Sequence, residues 1–213
     1  MNNPYMESKY ANIYDAAVTK YPIIKTLRVQ EKNILIKLFK KHLKNNDIVL
    51  EIGAGTGYYS LNIARQVRKL TAIEPSKEMI NIMKKKIDDE NIKNIEIIED
   101  GFLQYKTTKK FDKVICCGVL DFIDKPKEFI EKCLSMTKTN GTVIFTIPNK
   151  SLFYGIYEIS FRLQNSKVYN SSEKQIKKWF GKYNVDVYDA GFKTKINKGL
   201  ILIVVIEKRL IDG

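Results

Sequence analysis

A mostly parallel α/β sheet, with helices on both faces and an antiparallel hairpin at one end, is the fold this sequence predicts. Three observations carry it. Short runs rich in Ile and Val alternate with amphipathic helical stretches from residue 26 onward. A glycine-rich turn, Gly53-Ala54-Gly55-Thr56-Gly57, joins one such run directly to a helical pattern. The tail then holds two strand-like runs, 185–188 and 200–206, with no helix between them. One domain spanning residues 1–213 is the simplest organisation, because the length suits a single core and no repeat, low-complexity block or linker divides it.

Residues 1–45 read as an N-terminal arm and helix. The arm is rich in tyrosine (Tyr5, Tyr10, Tyr14, Tyr21), and Pro22 stops any helix running through it. From Thr26 to about Lys44, Leu27, Ile34, Leu35, Leu38, Phe39 and Leu43 recur at helical spacing with lysines opposite. That helix packs outside the sheet, and the first 30 residues are also placed to close over a ligand. His42, the sole histidine, falls on the polar side near the helix end, where the helix dipole favours a surface cation.

The core follows at 46–150. Ile48-Val49-Leu50 is a buried strand ending in Glu51. Glycine takes positive φ cheaply and lets a ligand approach the backbone, and the N–H groups of such a turn and of the helix after it face whatever binds there. A dinucleotide turn needs G-x-G-x-x-G, but here the third glycine comes one residue early and Tyr58 stands in its place. Glu51 suits a neighbouring ammonium better than a pyrophosphate. A nucleotide, or no ligand at all, stays as the alternative.

Strand 70–73 ends at Glu74, with Pro75-Ser76 starting a helix that Ser76 caps and that carries Met79, Ile80, Met83 and Ile87 on one face. An acid at the end of the second strand of an open α/β sheet is placed to accept from both ribose hydroxyls of an adenosine. Asn94 to Ile98 is a third strand, leading into Glu99-Asp100-Gly101-Phe102; 111–117 is a fourth. In the fourth, Cys116 and Cys117 point to opposite faces and act as small buried hydrophobes, and Gly118 permits close approach at the strand's carboxyl end. A helix from Pro126, a turn at Asn140-Gly141 and a fifth strand, 142–147, complete the core.

Residues 151–182 form a substrate-side lid. In 151–165, Leu152, Ile156, Ile159 and Leu163 make one stripe that Phe153, Tyr154, Tyr157 and Phe161 widen, fitting a greasy pocket, a membrane surface or plain packing on the sheet. A short helix near Glu173–Phe180 follows, capped by Ser171 or Ser172, and 183–213 is the terminal hairpin.

Composition narrows the classes. No run approaches a membrane span, and residues 1–10 lack the apolar core of a signal peptide. Three cysteines without metal-ligand spacing argue against a disulfide framework and for a reducing, cytoplasmic location, with no metal expected. The net charge of +13 comes from lysines scattered along the chain, which attract anionic surfaces non-specifically without tracing a groove.

Four stretches, VLEIGAGTG, AIEPSKEMI, IIEDGF and FDKVICCGVLDFI, resemble in order and spacing the landmarks of the class I S-adenosylmethionine-dependent methyltransferases, over roughly residues 26–208. The resemblance implies their Rossmann-like, seven-stranded, mostly parallel sheet, with S-adenosyl-L-methionine as cofactor and S-adenosyl-L-homocysteine as product. It implies that Glu51, Gly53, Ala54, Gly55 and Gly57 seat the amino-acid end, that Glu74 takes the ribose with Pro75 and Met79 also at the cofactor, and that Asp100 and Gly101, with Phe102 or its backbone N–H, meet the adenine. Cys117 and Gly118 complete that set. Tyr14-Asp15 with Leu27-Arg28, and the Thr146-Ile147-Pro148-Asn149 strand exit, are similar to features of the ubiquinone and menaquinone biosynthetic branch, which gives Arg28 the cofactor's carboxylate.

The implied reaction is direct methyl displacement on a small, partly apolar acceptor. One departure bears on its chemistry: where the ubiquinone O-methyltransferases carry glutamate and histidine, Asp121 and Phe122 stand, so their O-methylation and metal dependence are not carried over. Tyr10, Tyr14, Asp121 and Tyr157 are the candidates for a catalytic base, and none is singled out. Nucleic acid is the second partner class, with transient membrane contact a third and oligomeric state open. An RNA methyltransferase and a non-catalytic cofactor-binding protein are the rival functions. The Asn/Asp-Pro-Pro-aromatic motif of base-amino methylation is replaced by Cys116-Cys117-Gly118-Val119.

Overall fold

A computed structural model describes residues 22–150, 167–190 and 199–210. In chain order its elements are α1 (Pro22–His42), β1 (Ile48–Ile52), α2 (Ser60–Ala64), β2 (Lys69–Glu74), α3 (Lys77–Asp89), β3 (Ile95–Glu99), β4 (Phe111–Cys116), α4 (Pro126–Met136), β5 (Thr137–Pro148), α5 (Glu173–Phe180), β6 (Tyr183–Ala190) and β7 (Ile201–Leu210), with a 3-10 turn at Leu120–Phe122. The seven strands lie in the order β3-β2-β1-β4-β5-β7-β6. β7 alone runs against its neighbours, pairing antiparallel with both β5 and β6. The expected sheet with its closing antiparallel pair is therefore present.

Period-two alternation explains why both faces are covered. Val49, Ile115, Ile144, Ile203 and Val205 join α1 and α2 residues Leu35, Leu38, Phe39, Ile63 and Ala64 in one cluster. Their immediate neighbours Leu50, Val114, Cys116, Val143, Phe145 and Val204 join α4 and α5 residues Phe129, Ile130, Cys133, Leu134, Ile176 and Phe180 in the other. Each such side chain removed from water contributes about 1.5–3 kcal/mol, so two-sided burial drives the strand-helix alternation. Cys116 and Cys117 fall in opposite clusters, as adjacent strand residues must. Burial pushes the Cys116 and Cys133 thiols up, so they pack as inert hydrophobes.

Three local expectations need correction. Helix α1 begins at Pro22, not Thr26; proline lacks only an N–H that the first turn leaves unpaired, so it starts the helix it was read as interrupting. His42 is not a surface residue: it is buried, its Nδ1 lies 3.9 Å from Glu207 Oε1 of β7, and its Nε2 has no hydrogen-bond partner. Burial and then Lys41 hold its pKa below the ordinary value, so it is neutral. Asn140-Gly141 is not a free turn before β5. The strand starts at Thr137 and bulges, with Phe111 opposite Thr137 but Lys113 opposite Thr142, and Asn140 in the left-handed region at φ 62°.

Candidate functional site

The carboxyl ends of β3, β2, β1 and β4 stand side by side, and each delivers one piece of a single site. After β1 the chain must reverse tightly. Gly53, Gly55 and Gly57 adopt φ of 70°, 56° and 81°, a region that costs other residues about 1–2 kcal/mol. The three are not equivalent. A Cβ on Gly53 would overlap the Cγ2 methyl of Val119, and one on Gly57 would press on Met83 and Leu61. Among the described residues, a Cβ on Gly55 would meet only Met79 Sδ, at 3.6 Å, and one on Gly118, also at positive φ, would meet nothing within 4 Å. Two glycines thus pack the turn against its supports, while Gly55 and Gly118 border open space.

The turn is tied to β2. Gly53 and Ala54 donate to the carbonyl of Ile73, and Gly55 N–H donates to Glu74 Oε2 at 2.9 Å. Glu74 Oε1 accepts Ser76 N–H at 2.9 Å, while the Ser76 hydroxyl caps α3 by accepting from Met79 N–H. A carboxylate has about four acceptor positions, so Glu74 stays held by backbone with capacity left for two further donors. Pro75 is exposed beside it, and Met79 is buried beneath Gly55.

Glu51 lies under the turn, only 4% exposed, accepting the Ser60 hydroxyl at 2.6 Å. No lysine or arginine pairs with it among the described residues. Burial pushes its pKa up to about 8, with Ser60 opposing and Glu74 adding to the rise. This is an acid lacking a counter-cation, which an ammonium would supply.

At the end of β3, Asp100 Oδ1 accepts Gly101 N–H at 2.7 Å and the side chain stays part-exposed. Of the two groups expected at Phe102, the ring is buried in the core, 4.8 Å from the ring of Phe129, and the backbone N–H is the one left to the site. At the end of β4, Cys117 is part-buried and Gly118 N–H donates to Thr146 Oγ1 at 2.8 Å. Asp121 is buried in the 3-10 turn, with its carbonyl accepting Tyr169 N–H.

The structure thus brings Glu51, the glycine turn, Glu74, Asp100 and Gly118 to one edge of the sheet. Arg28 lies in α1, but its side chain, together with Tyr10, Tyr14, Tyr157 and the 151–165 segment, lies outside the described residues. Sequence reasoning gave no role to Ser60, whose only signal was a hydroxyl nine residues after Glu51, and named Thr146 only as part of the 146–149 strand exit, not as a support for Gly118.

Against this geometry, a family model described as a methyltransferase domain matches residues 43–199. The chain belongs to that family. The expectation of a class I methyltransferase with a Rossmann-like fold is borne out. Magnesium protoporphyrin IX methyltransferase from Synechocystis shares the fold, with a TM-score of 0.73 at 16% identity over 96% of each chain. A probable ribosomal RNA small subunit methyltransferase A from Methanosphaera stadtmanae is 37% identical over 87 residues, 41% of this chain and 32% of that protein. A ubiquinone biosynthesis O-methyltransferase from Coxiella burnetii is 23% identical over 111 residues, 52% of this chain and 47% of that protein. The chain spans about a third to a half of the length of these two relatives.

A cleft of about 360 Å³ opens beside the start of α4, between Asp124, Pro126 and Glu128 on one side and Tyr169, Gln175 and Trp179 on the other. Its charges are largely matched on α4 itself, Lys125 with Glu128 and Lys127 with Glu131. Among the described residues no helix is long and apolar enough to cross a membrane.

Proposed function

We propose that this methyltransferase transfers the methyl group of S-adenosylmethionine to a small, partly apolar acceptor by direct displacement. The observation that carries the reading is the pairing of open backbone at Gly55 and Gly118 with a buried Glu51 that has no cation partner among the described residues. When bound, the cofactor supplies an electrophilic methyl group on a sulfonium.

The chain's own residues supply binding and alignment. Glu51 ionises toward the ammonium, and the open backbone at Gly55 admits the amino-acid end. Glu74, fixed by Gly55 and Ser76, accepts the ribose hydroxyls through its unused lone pairs. Asp100 accepts the adenine amine, and Phe102 N–H donates to the ring. Gly118, held by Thr146, leaves room for the methyl-bearing end. Alignment of acceptor and methyl group is the main catalytic contribution, up to about 7–11 kcal/mol of barrier. Of the candidate bases only Asp121 lies among the described residues, and a base is required only where the acceptor must shed a proton early.

RNA as acceptor is the second reading, favoured by the Methanosphaera relative and the charge of +13. The test is transfer of tritiated methyl from the cofactor to bulk RNA, total lipid and small-metabolite extracts. Label in the lipid or metabolite fraction supports the first reading; label in RNA alone overturns it.

A further inference from the structure

The loop after β3 carries the groups assigned to the purine, yet its own sequence does little to fix it. Its internal bonds are all short-range: Gly101 N–H donates to Asp100 Oδ1, Gln104 and Tyr105 N–H both donate to Gly101 O at 3.0 Å, and Lys109 N–H donates to Thr107 Oγ1. The rest of its grip comes from α4. Phe129 packs on Phe102 with the two rings tilted by 55°, and one turn later Lys132 extends over the same residue with its Nζ 4.7 Å from the ring centroid. That Nζ donates to the carbonyls of Phe102 at 2.6 Å, Leu103 at 2.8 Å and Tyr105 at 3.1 Å.

An ammonium has three donors, and all three of Lys132's go to backbone oxygens of this one loop. Such charge-assisted bonds are about twice as strong as neutral ones, and a flexible surface lysine would not forgo water for them without shaping the loop. Leu103 is exposed at the loop's tip; Phe102 and Tyr105 on either side of it anchor the loop's base in the core, and Lys132 ties the carbonyls between them.

We infer that Lys132 is a positioning residue that sets the purine selectivity of the cofactor site, by locking the loop that presents Asp100 and the Phe102 N–H. The inference rests on the proposed placement of adenine at that loop. Adenine offers a 6-amino donor to Asp100 and an N1 acceptor to Phe102 N–H. Hypoxanthine reverses both, with an oxygen at position 6 and a proton on N1. A fixed loop leaves polar groups unpaired against hypoxanthine and rejects it strongly; a loop free to shift does not.

The test is calorimetric titration of the full chain with S-adenosylhomocysteine and S-inosylhomocysteine, in the parent, Lys132→Met and Lys132→Arg proteins. The parent should prefer the adenosyl ligand by on the order of 100-fold or more. Lys132→Met should cut that preference about tenfold or more, mainly through weaker adenosyl binding, and Lys132→Arg, which also offers several donors to carbonyls, should restore most of it. A Lys132→Met protein that binds both ligands more weakly yet keeps the parent's preference overturns the inference, leaving Lys132 a stabilising residue only. So does a parent that binds the adenosyl ligand without preference, whereas a parent that binds neither overturns the proposed function itself. Should circular dichroism show Lys132→Met unfolded, Lys132→Gln, which keeps a donor and loses the charge, gives the same ratio with the same two outcomes.

Discussion

The loops after β1 and β3 flank the same site but are built in opposite ways. The first is made by its own residues: three glycines at positive φ, a carboxylate on the next strand, and a serine at the following helix start. The second is held by a distant helix through Phe129 and Lys132. The first loop therefore fails by local strain, and the second by loss of a remote support.

The largest expected effect concerns the packed glycines. Gly53→Ala combines a positive φ with overlap of Val119, and should cost about 3 kcal/mol in urea unfolding, the sum of backbone strain and overpacking. Gly55→Ala meets open space, so it should cost only about 1 kcal/mol of stability while weakening cofactor binding more than that loss explains. Equal stability costs at the two positions would erase the distinction between packed and open glycines.

Next comes pH. The pKa of Glu51 in the folded chain, about 8, lies above the ordinary 4.5. The folded state keeps a proton the unfolded chain releases, so this contribution is complete below about pH 4.5 and is lost as pH rises towards 8. Stability without ligand should fall by on the order of 2 kcal/mol between about pH 5 and pH 7. Glu51→Gln should flatten that slope and, in the same protein, abolish cofactor binding. An unchanged slope in urea unfolding across this range would mean that Glu51 is already ionised.

This contrast also explains what the sequence could and could not reveal. Gly53, Gly55, Glu51 and Glu74 were legible because their geometry is fixed by neighbours in the chain and by the strand ends that carry them. Which group of Phe102 faces the site was not legible, because Phe129, on α4, packs against its ring in the core. His42 was misread because β7, at the far end of the chain, covers what helical periodicity marked as a polar face. Asn140-Gly141 looked like a turn because the pairing with β4 that makes it a bulge is non-local. Lys132 left no trace, since one lysine among many acquires its role only when α4 meets the β3 loop.

A smaller effect serves as a control outside both loops. Ser172 caps α5 by accepting Gln175 N–H at 3.2 Å. Ser172→Ala should cost about 1 kcal/mol in urea unfolding and leave cofactor affinity unchanged. A parallel drop in affinity would show that the site is sensitive to any loss of stability, and that the contrast between the two loops lies in general stability alone.

The central claim is that the turn after β1, with Glu51 beneath it, seats the amino-acid end of S-adenosylmethionine. Calorimetry of S-adenosylhomocysteine binding near pH 7, repeated in two buffers of different ionisation enthalpy, tests it most directly. The account predicts saturable one-to-one binding with net proton release, as Glu51 ionises against the incoming ammonium, and no binding in Gly55→Arg. Binding that survives Gly55→Arg, or the absence of any heat with the parent protein, would contradict it.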